Sequence, residues 1–333
     1  MSNMAGTSTE DILTVGDLRK HFKTSQGIVR AVDVVSFSVK HGETFGLVGE
    51  SGSGKSTTAY VIMGIYAPTD GKIYFEGADL STGVKKRPKP LKKRIQIVFQ
   101  DPGSSLNPKR TVKQIVELPL KTHDIVKGDC EEKVKELLDM VELPTDFMYR
   151  YPRELGGGEK QMVAIARALA TNPSFVVLDE PTSALDVSQQ AKIINMLLRF
   201  QKEFKLSYLF ITHNLSLMRN VASRVAIMYL GKICEIAPAA EFFQKPLHPY
   251  TRMLLSSVPV ITDEEEILKP KKIVSRGEIP SPVNVPPGCG FHPRCPEGRE
   301  ICRREEPAMA EIEKGHFVRC HLYTIGQSTK DTA

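Results

Sequence analysis

Gly49-Glu50-Ser51-Gly52-Ser53-Gly54-Lys55-Ser56 follows an apolar, strand-like run from Thr44 to Val48 and precedes a helical stretch from Thr57 to Gly64. A Gly-rich loop between a strand and a helix is the setting that a phosphate cradle requires. Its glycines let successive backbone N–H groups curl around a β-phosphate, while the helix behind directs its positive end at the anion. Lys55 neutralises β/γ charge, and the Ser56 hydroxyl suits Mg²⁺. A nucleoside triphosphate is therefore expected against Gly49, Glu50, Ser51, Gly52, Ser53, Gly54, Lys55, Ser56 and Thr57. The loop does not say what the nucleotide's energy is used for.

Working outward, the apolar run Phe175 to Leu178 reads as a buried strand and ends in Asp179-Glu180-Pro181. Two adjacent carboxylates at a strand end are costly to bury without a cation. Asp179 suits Mg²⁺ held through water, and Glu180 suits orienting the water that displaces a γ-phosphate in line. A helix at Ser188 to Phe204 and a strand at Tyr208 to Ile211 continue a βαβ alternation, implying a parallel sheet.

The chain has 333 residues, of which 41% are hydrophobic and 25% charged, enough to bury one large core and carry a smaller appendage. Its net charge of +6 suits lipid or phosphate contact and does not call for nucleic acid, so none is expected as a partner. Met1 to Glu10 lacks an apolar leader core, and no apolar run approaches the roughly 20 residues of a membrane span, so a cytoplasmic chain is expected. Short strands are expected at Ile12 to Val15, Ala31 to Val39 and Glu43 to Val48. The basic run Val84 to Arg94, broken by Pro88 and Pro90, reads as a solvated loop, with a lipid-headgroup contact as the alternative. A helical insert follows over about 102–162, its stripe of Val134, Leu137, Leu138 and Val141 being packing rather than chemistry. Beyond Gln244 the chain turns to Pro-rich loops, an acidic patch at Asp263 to Glu266, and cysteines.

Beside these motifs stand Gln100 after Ile97-Val98-Phe99, Ser183-Ala184-Leu185-Asp186 after Pro181, and His213 after Phe210-Ile211-Thr212. In this order they resemble the ATP-binding cassette family over nearly the whole chain. That resemblance implies an α/β fold: a P-loop nucleotide-binding domain with a parallel RecA-like sheet, an antiparallel β subdomain and a helical subdomain. It also implies that Gln100 contacts Mg²⁺ and the attacking water, that His213 bonds the γ-phosphate, that Asp186 belongs to the nucleotide interface, and that Phe22 stacks on adenine. Phe99-Gln100-Asp101-Pro102, Ser105-Leu106-Asn107-Pro108, Pro246-Leu247-His248-Pro249-Tyr250-Thr251 and Pro280-Ser281-Pro282-Val283-Asn284 narrow the likeness to the ATPase subunits of oligopeptide and dipeptide permeases, the OppF/DppF type. The implied organisation is a disordered start over 1–11, an ATPase domain over 12–243, and a loop-rich cysteine-containing domain over 244–333. The implied assembly is an ATP-driven importer at the cytoplasmic face of the membrane, with two transmembrane permease subunits, a second ATPase and an extracellular solute-binding protein. The solute is expected to be a peptide, with oligosaccharide or nickel as alternatives. A soluble cassette of repair or translation is disfavoured by the single cassette, and a redox sensor by the complete hydrolytic set.

The signature loop departs from the family's Leu-Ser-Gly-Gly-Gln. Here Leu155-Gly156-Gly157-Gly158-Glu159 keeps the backbone N–H groups expected to cap a γ-phosphate on the facing subunit, but lacks the hydroxyl and brings a carboxylate near. An asymmetric heterodimer is expected. Cys289, Cys295, Cys302 and Cys320, separated by five, six and seventeen residues of loop, make a ligand set for a metal or cluster. Zinc usually shows a shorter knuckle, and the resemblance implies a [4Fe–4S] cluster, with Zn²⁺ as the alternative. Cys130 and Cys234 read as unrelated single cysteines.

Overall fold

The computed structural model describes residues 10–258, 273 and 277–324. The N-terminal apolar alternation forms one long hairpin, β1 (Asp11–Thr24) and β2 (Gly27–Lys40), where two short strands were expected. Pairing continues from Asp11 opposite Lys40 to Thr24 opposite Gly27. The polar outer half, with Lys20, His21 and Lys23, is thus held by the backbone ladder rather than by burial. Asp11 opens this strand, so the disordered start does not reach residue 11; residues 1–9 lie outside the described residues. The chain then enters β3 (Thr44–Val48), wholly buried, which feeds the phosphate loop and α1 (Lys55–Ile62). β4 (Asp70–Phe75) and β5 (Ala78–Asp79) complete an antiparallel sheet in the order β2-β1-β4-β5.

The basic run Val84 to Arg94 is not the solvated loop expected. It holds a short 3₁₀ turn at Val84–Lys86 and α2 (Lys89–Arg94), and between them Arg87 is only 4% exposed. Its guanidinium donates to the carbonyls of Val61, Ile62, Leu80 and Thr82. Val61 and Ile62 end α1; the Val61 carbonyl also accepts the Gly64 N–H at 2.9 Å, and the fork supplies donors at a helix end where carbonyls run short of them. Burial pulls the guanidinium down to about 10.

β6 (Ile95–Val98) leads to α3 (Pro102–Ser105), α4 (Val112–Thr122), α5 (Glu131–Met140) and α6 (Gly157–Leu169). Val134, Leu137, Leu138 and Val141 are all buried, as their helical spacing dictates. β7 (Phe175–Asp179), α7 (Val187–Phe204), β8 (Ser207–Thr212), α8 (Leu215–Val221), β9 (Arg224–Tyr229), β10 (Lys232–Pro238), α9 (Ala239–Gln244) and α10 (Pro249–Ser256) follow. Near the end of the described chain are β11 (Ala310–Glu313) and β12 (His316–Val318). The second sheet has the order β11-β12-β10-β9-β3-β8-β7-β6, and β9, β3, β8, β7 and β6 run parallel. The phosphate loop and Asp179 both sit at carboxyl ends of these parallel strands, where open α/β sheets bind ligands.

The cysteine-bearing segment is loop-rich, as expected, but it shares the cassette's core instead of standing apart. β12 pairs with β10, and Tyr250 and Phe291 pack into the same apolar cluster as β7 and β8. The wholly buried Glu235 on β10 accepts from the Leu247 and His248 N–H groups at 2.8 and 2.9 Å and from His316 Nε2 at 2.7 Å. The acidic patch Asp263 to Glu266 lies outside the described residues.

Candidate nucleotide site

The phosphate loop is shaped by what lies against it. Gly54 caps α1 at φ 106°, and a Cβ there would sit 2.1 Å from the Ala31 carbonyl oxygen, so only glycine fits. Lys55 is 5% exposed and its Nζ donates to the carbonyls of Gly49 and Glu50 at 2.7 and 2.9 Å. Burial lowers its pKa, against the opposing pull of Glu180 and Asp179. The ammonium is thus held at the loop, where an arriving phosphate competes with two neutral acceptors.

Ser56 Oγ donates to Asp179 Oδ1 at 2.9 Å. Asp179 is wholly buried, and its Oδ2 has no hydrogen-bond partner. Burial pushes this carboxyl up, and Tyr60, facing the same group, is raised to about 12 by burial and by the Asp179 charge. A buried carboxylate oxygen without a donor, next to a serine hydroxyl, is a hard-oxygen donor set, and it fits Mg²⁺.

Glu180 leaves β7 in the left-handed region at φ 46°, its N–H bonded to the Ile211 carbonyl at 2.9 Å. A non-glycine residue held there is strained, a cost that persists where the surroundings fix it. The bend turns its side chain to Gln100 and His213. Gln100 Nε2 and His213 Nδ1 both lie 3.1 Å from Glu180 Oε2. Three residues singled out separately in the sequence, 80 and 33 positions apart, therefore converge on one oxygen.

The other expected contacts are placed as follows. Phe22, half-buried on β1, meets Tyr66 edge-on at 5.3 Å, with Lys20 Nζ 4.8 Å above its ring. Gly156 caps α6 and is exposed with Gly157, whereas Gly158 is buried so tightly that a Cβ would lie 2.7 Å from Gln189 Oε1. Glu159 folds back, its Oε2 accepting the Gly156 N–H at 2.7 Å, so its carboxylate satisfies the helix end. Asp186 caps α7 by accepting the Gln189 N–H at 2.8 Å.

Cys289, Cys295, Cys302 and Cys320 line one narrow cleft together with His248, His292 and His321. Burial raises the Cys289 thiol, and raises Cys295 to about 11 and Cys320 to about 12, so these three stay protonated at neutral pH without a cation. Among the described residues no three His, Cys, Asp or Glu side chains are grouped to hold a metal ion. Cys234 is not the unrelated cysteine expected: on β10, its buried thiol is pushed up by burial and by Cys289 and Cys320 beside it.

Sequence reasoning missed two residues that touch the phosphate loop. The Tyr250 hydroxyl accepts the Glu50 N–H at 3.2 Å and lies 3.2 Å from Glu50 Oε2. Arg294 Nη1 and Nη2 donate to Glu50 Oε2 and Oε1 at 2.8 and 3.1 Å. With 244 positions between Arg294 and Glu50, no local pattern announces the pair.

Residues 32–183 match the ABC transporter family, and residues 234–302 match the oligopeptide/dipeptide transporter C-terminal region. The chain is 48% identical to the oligopeptide transport ATP-binding protein AppF of Bacillus subtilis, over 96% of this chain and 100% of that one. The chain belongs to the ABC transporter family. It is 47% identical to the putative oligopeptide transport ATP-binding protein YkfD of the same organism, covering 94% of this chain and 95% of that relative. A solved dimeric ATP-binding cassette in a post-hydrolysis state with ADP and Pi is 31% identical, with a TM-score of 0.63 over 68% of this chain and 98% of that one. This ABC protein is an ATPase, with the mixed parallel and antiparallel sheets of that cassette. Among its described residues no helix is long and apolar enough to cross a membrane.

Proposed function

We infer that this ABC ATPase drives uptake of oligopeptides or dipeptides as the nucleotide-hydrolysing subunit of a heteromeric importer. The observation that carries the reading is the union, in one chain, of the Lys55–Asp179–Glu180 site with a C-terminal region of oligopeptide/dipeptide transporter type. Peptide is favoured over oligosaccharide or nickel because relatives of near-equal length are named for oligopeptide transport. In this reading 12–243 is the ATPase unit, with a helical part over about 102–162, and 244–333 is the permease-type addition. The chain sits at the cytoplasmic face against two transmembrane permease subunits, beside a second ATPase, with an extracellular solute-binding protein acting through the permeases.

Ser56 and Asp179 would hold Mg²⁺, which would neutralise charge on the bound phosphates. Lys55 leaves the Gly49 and Glu50 carbonyls for the phosphates. Glu180 orients the attacking water, with Gln100 and His213 fixing its carboxylate and reaching the γ-phosphate side. Phe22 offers its ring to the adenine. Gly156 and Gly157 face the second ATPase's nucleotide, with Gly158 packed behind them to bring the loop close and Asp186 at the same junction. The missing hydroxyl at Gly156 makes the assembly an asymmetric heterodimer, whose competent site is built on this chain's phosphate loop.

Cys289, Cys295, Cys302 and Cys320 are read as the ligands of a [4Fe–4S] cluster. What supports the reading is that the four thiols line one cleft, with Zn²⁺ as the alternative occupant. Iron and acid-labile sulfide in the purified chain, lost in Cys295→Ser or Cys302→Ser, test this; stoichiometric zinc without iron overturns it. The transport reading is tested by uptake of labelled peptide in cells lacking this chain. Restoration by the wild type but not by Glu180→Gln is expected, and restored nickel or oligosaccharide uptake without peptide uptake refutes it.

A further inference from the structure

Glu50 is an odd residue to find in a cradle for a polyanion. It is the second residue of the phosphate loop, and its carboxylate opposes the approach of a triphosphate unless something cancels it. Its carbonyl accepts from Lys55 Nζ at 2.9 Å and from the Ser53 N–H at 3.2 Å, so the position of Glu50 also sets where the Lys55 ammonium rests. Both carboxylate oxygens are taken by Arg294, and the Glu50 N–H is taken by Tyr250. Arg294 is built for rigidity: its side chain is 5% exposed, and the guanidinium lies 5.7 and 5.9 Å from the ring centres of Tyr229 and Phe291. It sits in a tight turn, its N–H bonded to the Phe291 carbonyl at 3.0 Å and the next residue, Cys295, bonded to the His292 carbonyl at 3.3 Å. Arg224 and Glu43 pair elsewhere in the fold, but that pair ends on a strand junction at β3. The pair of Arg294 and Glu50 ends on the loop that receives the nucleotide.

We propose that Arg294 is a positioning residue for the phosphate loop: through a two-pronged hold on Glu50, backed by Tyr250, it fixes the loop and cancels the carboxylate at the entrance of the triphosphate site. The cysteine-bearing loop thereby sets the affinity of this ATPase for MgATP. A two-pronged guanidinium–carboxylate pair is directional, so lysine replaces it incompletely.

The test uses the full chain, titrated with a fluorescent ATP analogue and Mg²⁺, together with ATPase rates at saturating ATP. Arg294→Gln is expected to raise the dissociation constant about tenfold or more, because Glu50 is left uncompensated, while the saturated rate changes by less than about twofold. The double variant Arg294→Gln with Glu50→Gln is expected to recover about threefold or more of that loss without reaching wild type, since the charge conflict is gone while the two-pronged hold stays broken. A merely structural pair gives the opposite ordering, with the double variant no better than Arg294→Gln, and that result overturns the proposal. Should Arg294→Gln fail to fold, Arg294→Lys and Tyr250→Phe decide. Each is expected to weaken analogue binding by about threefold or more while retaining the core, and wild-type affinity in both overturns the proposal.

Discussion

Restoring the signature loop with Gly156→Ser and Glu159→Gln should raise the ATPase rate of the isolated chain. The structure allows both changes. Gly156 has φ −70°, open to any residue, and a Cβ there would meet nothing closer than Glu159 Oε2 at 3.6 Å, an ordinary contact. The amide introduced by Glu159→Gln retains an acceptor for the Gly156 N–H, which the carboxylate now takes at 2.7 Å. Losing a first-turn carboxylate costs about 0.3–1 kcal/mol of dipole interaction. Serine at the cap returns a few tenths, roughly. The fold should therefore move by less than about 1 kcal/mol, a shift of a few degrees at most in a thermal melt. Catalysis should move much more. A hydrogen bond to a charged phosphate is worth about 1.5–3 kcal/mol, or about ten- to a hundredfold in rate when felt fully in the transition state. The assay is phosphate release by the purified chain at concentrations where it self-associates, with a melt as control. If the unmodified chain hydrolyses ATP as fast as the double variant, the asymmetry argument fails.

Glu180→Gln should keep the contacts of Gln100 and His213 but remove the carboxylate, lowering turnover about 100-fold or more while MgATP still binds; gel filtration should show an ATP-stabilised dimer, and full turnover sinks the role. Asp179→Asn should stabilise the nucleotide-free chain and abolish Mg²⁺-dependent hydrolysis. Burial holds the Asp179 carboxyl above its unfolded value, so stability falls as pH rises between the unfolded and the raised folded value. The melts of wild type and Asp179→Asn should accordingly converge at acid pH, and a melt lowered by the substitution at neutral pH contradicts this. Arg87→Ala should cost about 3 kcal/mol or more in urea unfolding, because four carbonyls lose a buried donor; a change below about 1 kcal/mol shows that water replaces it.

What was legible in the sequence was what local pattern controls. β3, β7 and β8 are continuous apolar runs buried on both faces, and the phosphate loop follows one of them directly. Glu180 could be named because it follows such a strand, Gln100 and His213 through the order of motifs that resembles the family, and their convergence follows from the neighbouring parallel strands β6, β7 and β8. The outer half of the β1–β2 hairpin was not legible, since its ladder is made by backbone groups that side-chain alternation does not report. Arg87 was lost among lysines that share its charge but not its burial. Glu159 read as an intruder near phosphate, whereas its distance of three residues from Gly156 is that of a capping box. The four tail cysteines announced themselves as a set, but Cys234 joined them only through the pairing of β10 with β12.

The covering of β10 by β12 decides how this molecule can be taken apart. Glu235 draws all three of its donors from Leu247, His248 and His316, each beyond α9. A chain cut after Gln244 would leave a carboxylate inside the protein with no donor, and a hydrogen-bonding edge open to any passing strand. Such a fragment should precipitate or recruit a second copy rather than behave as a minimal cassette. The same dependence works in reverse for engineering: grafting this tail onto another cassette requires an acid at the position of Glu235 to receive it, and a hydrophobic residue there would leave the incoming His316 and two backbone N–H groups stranded.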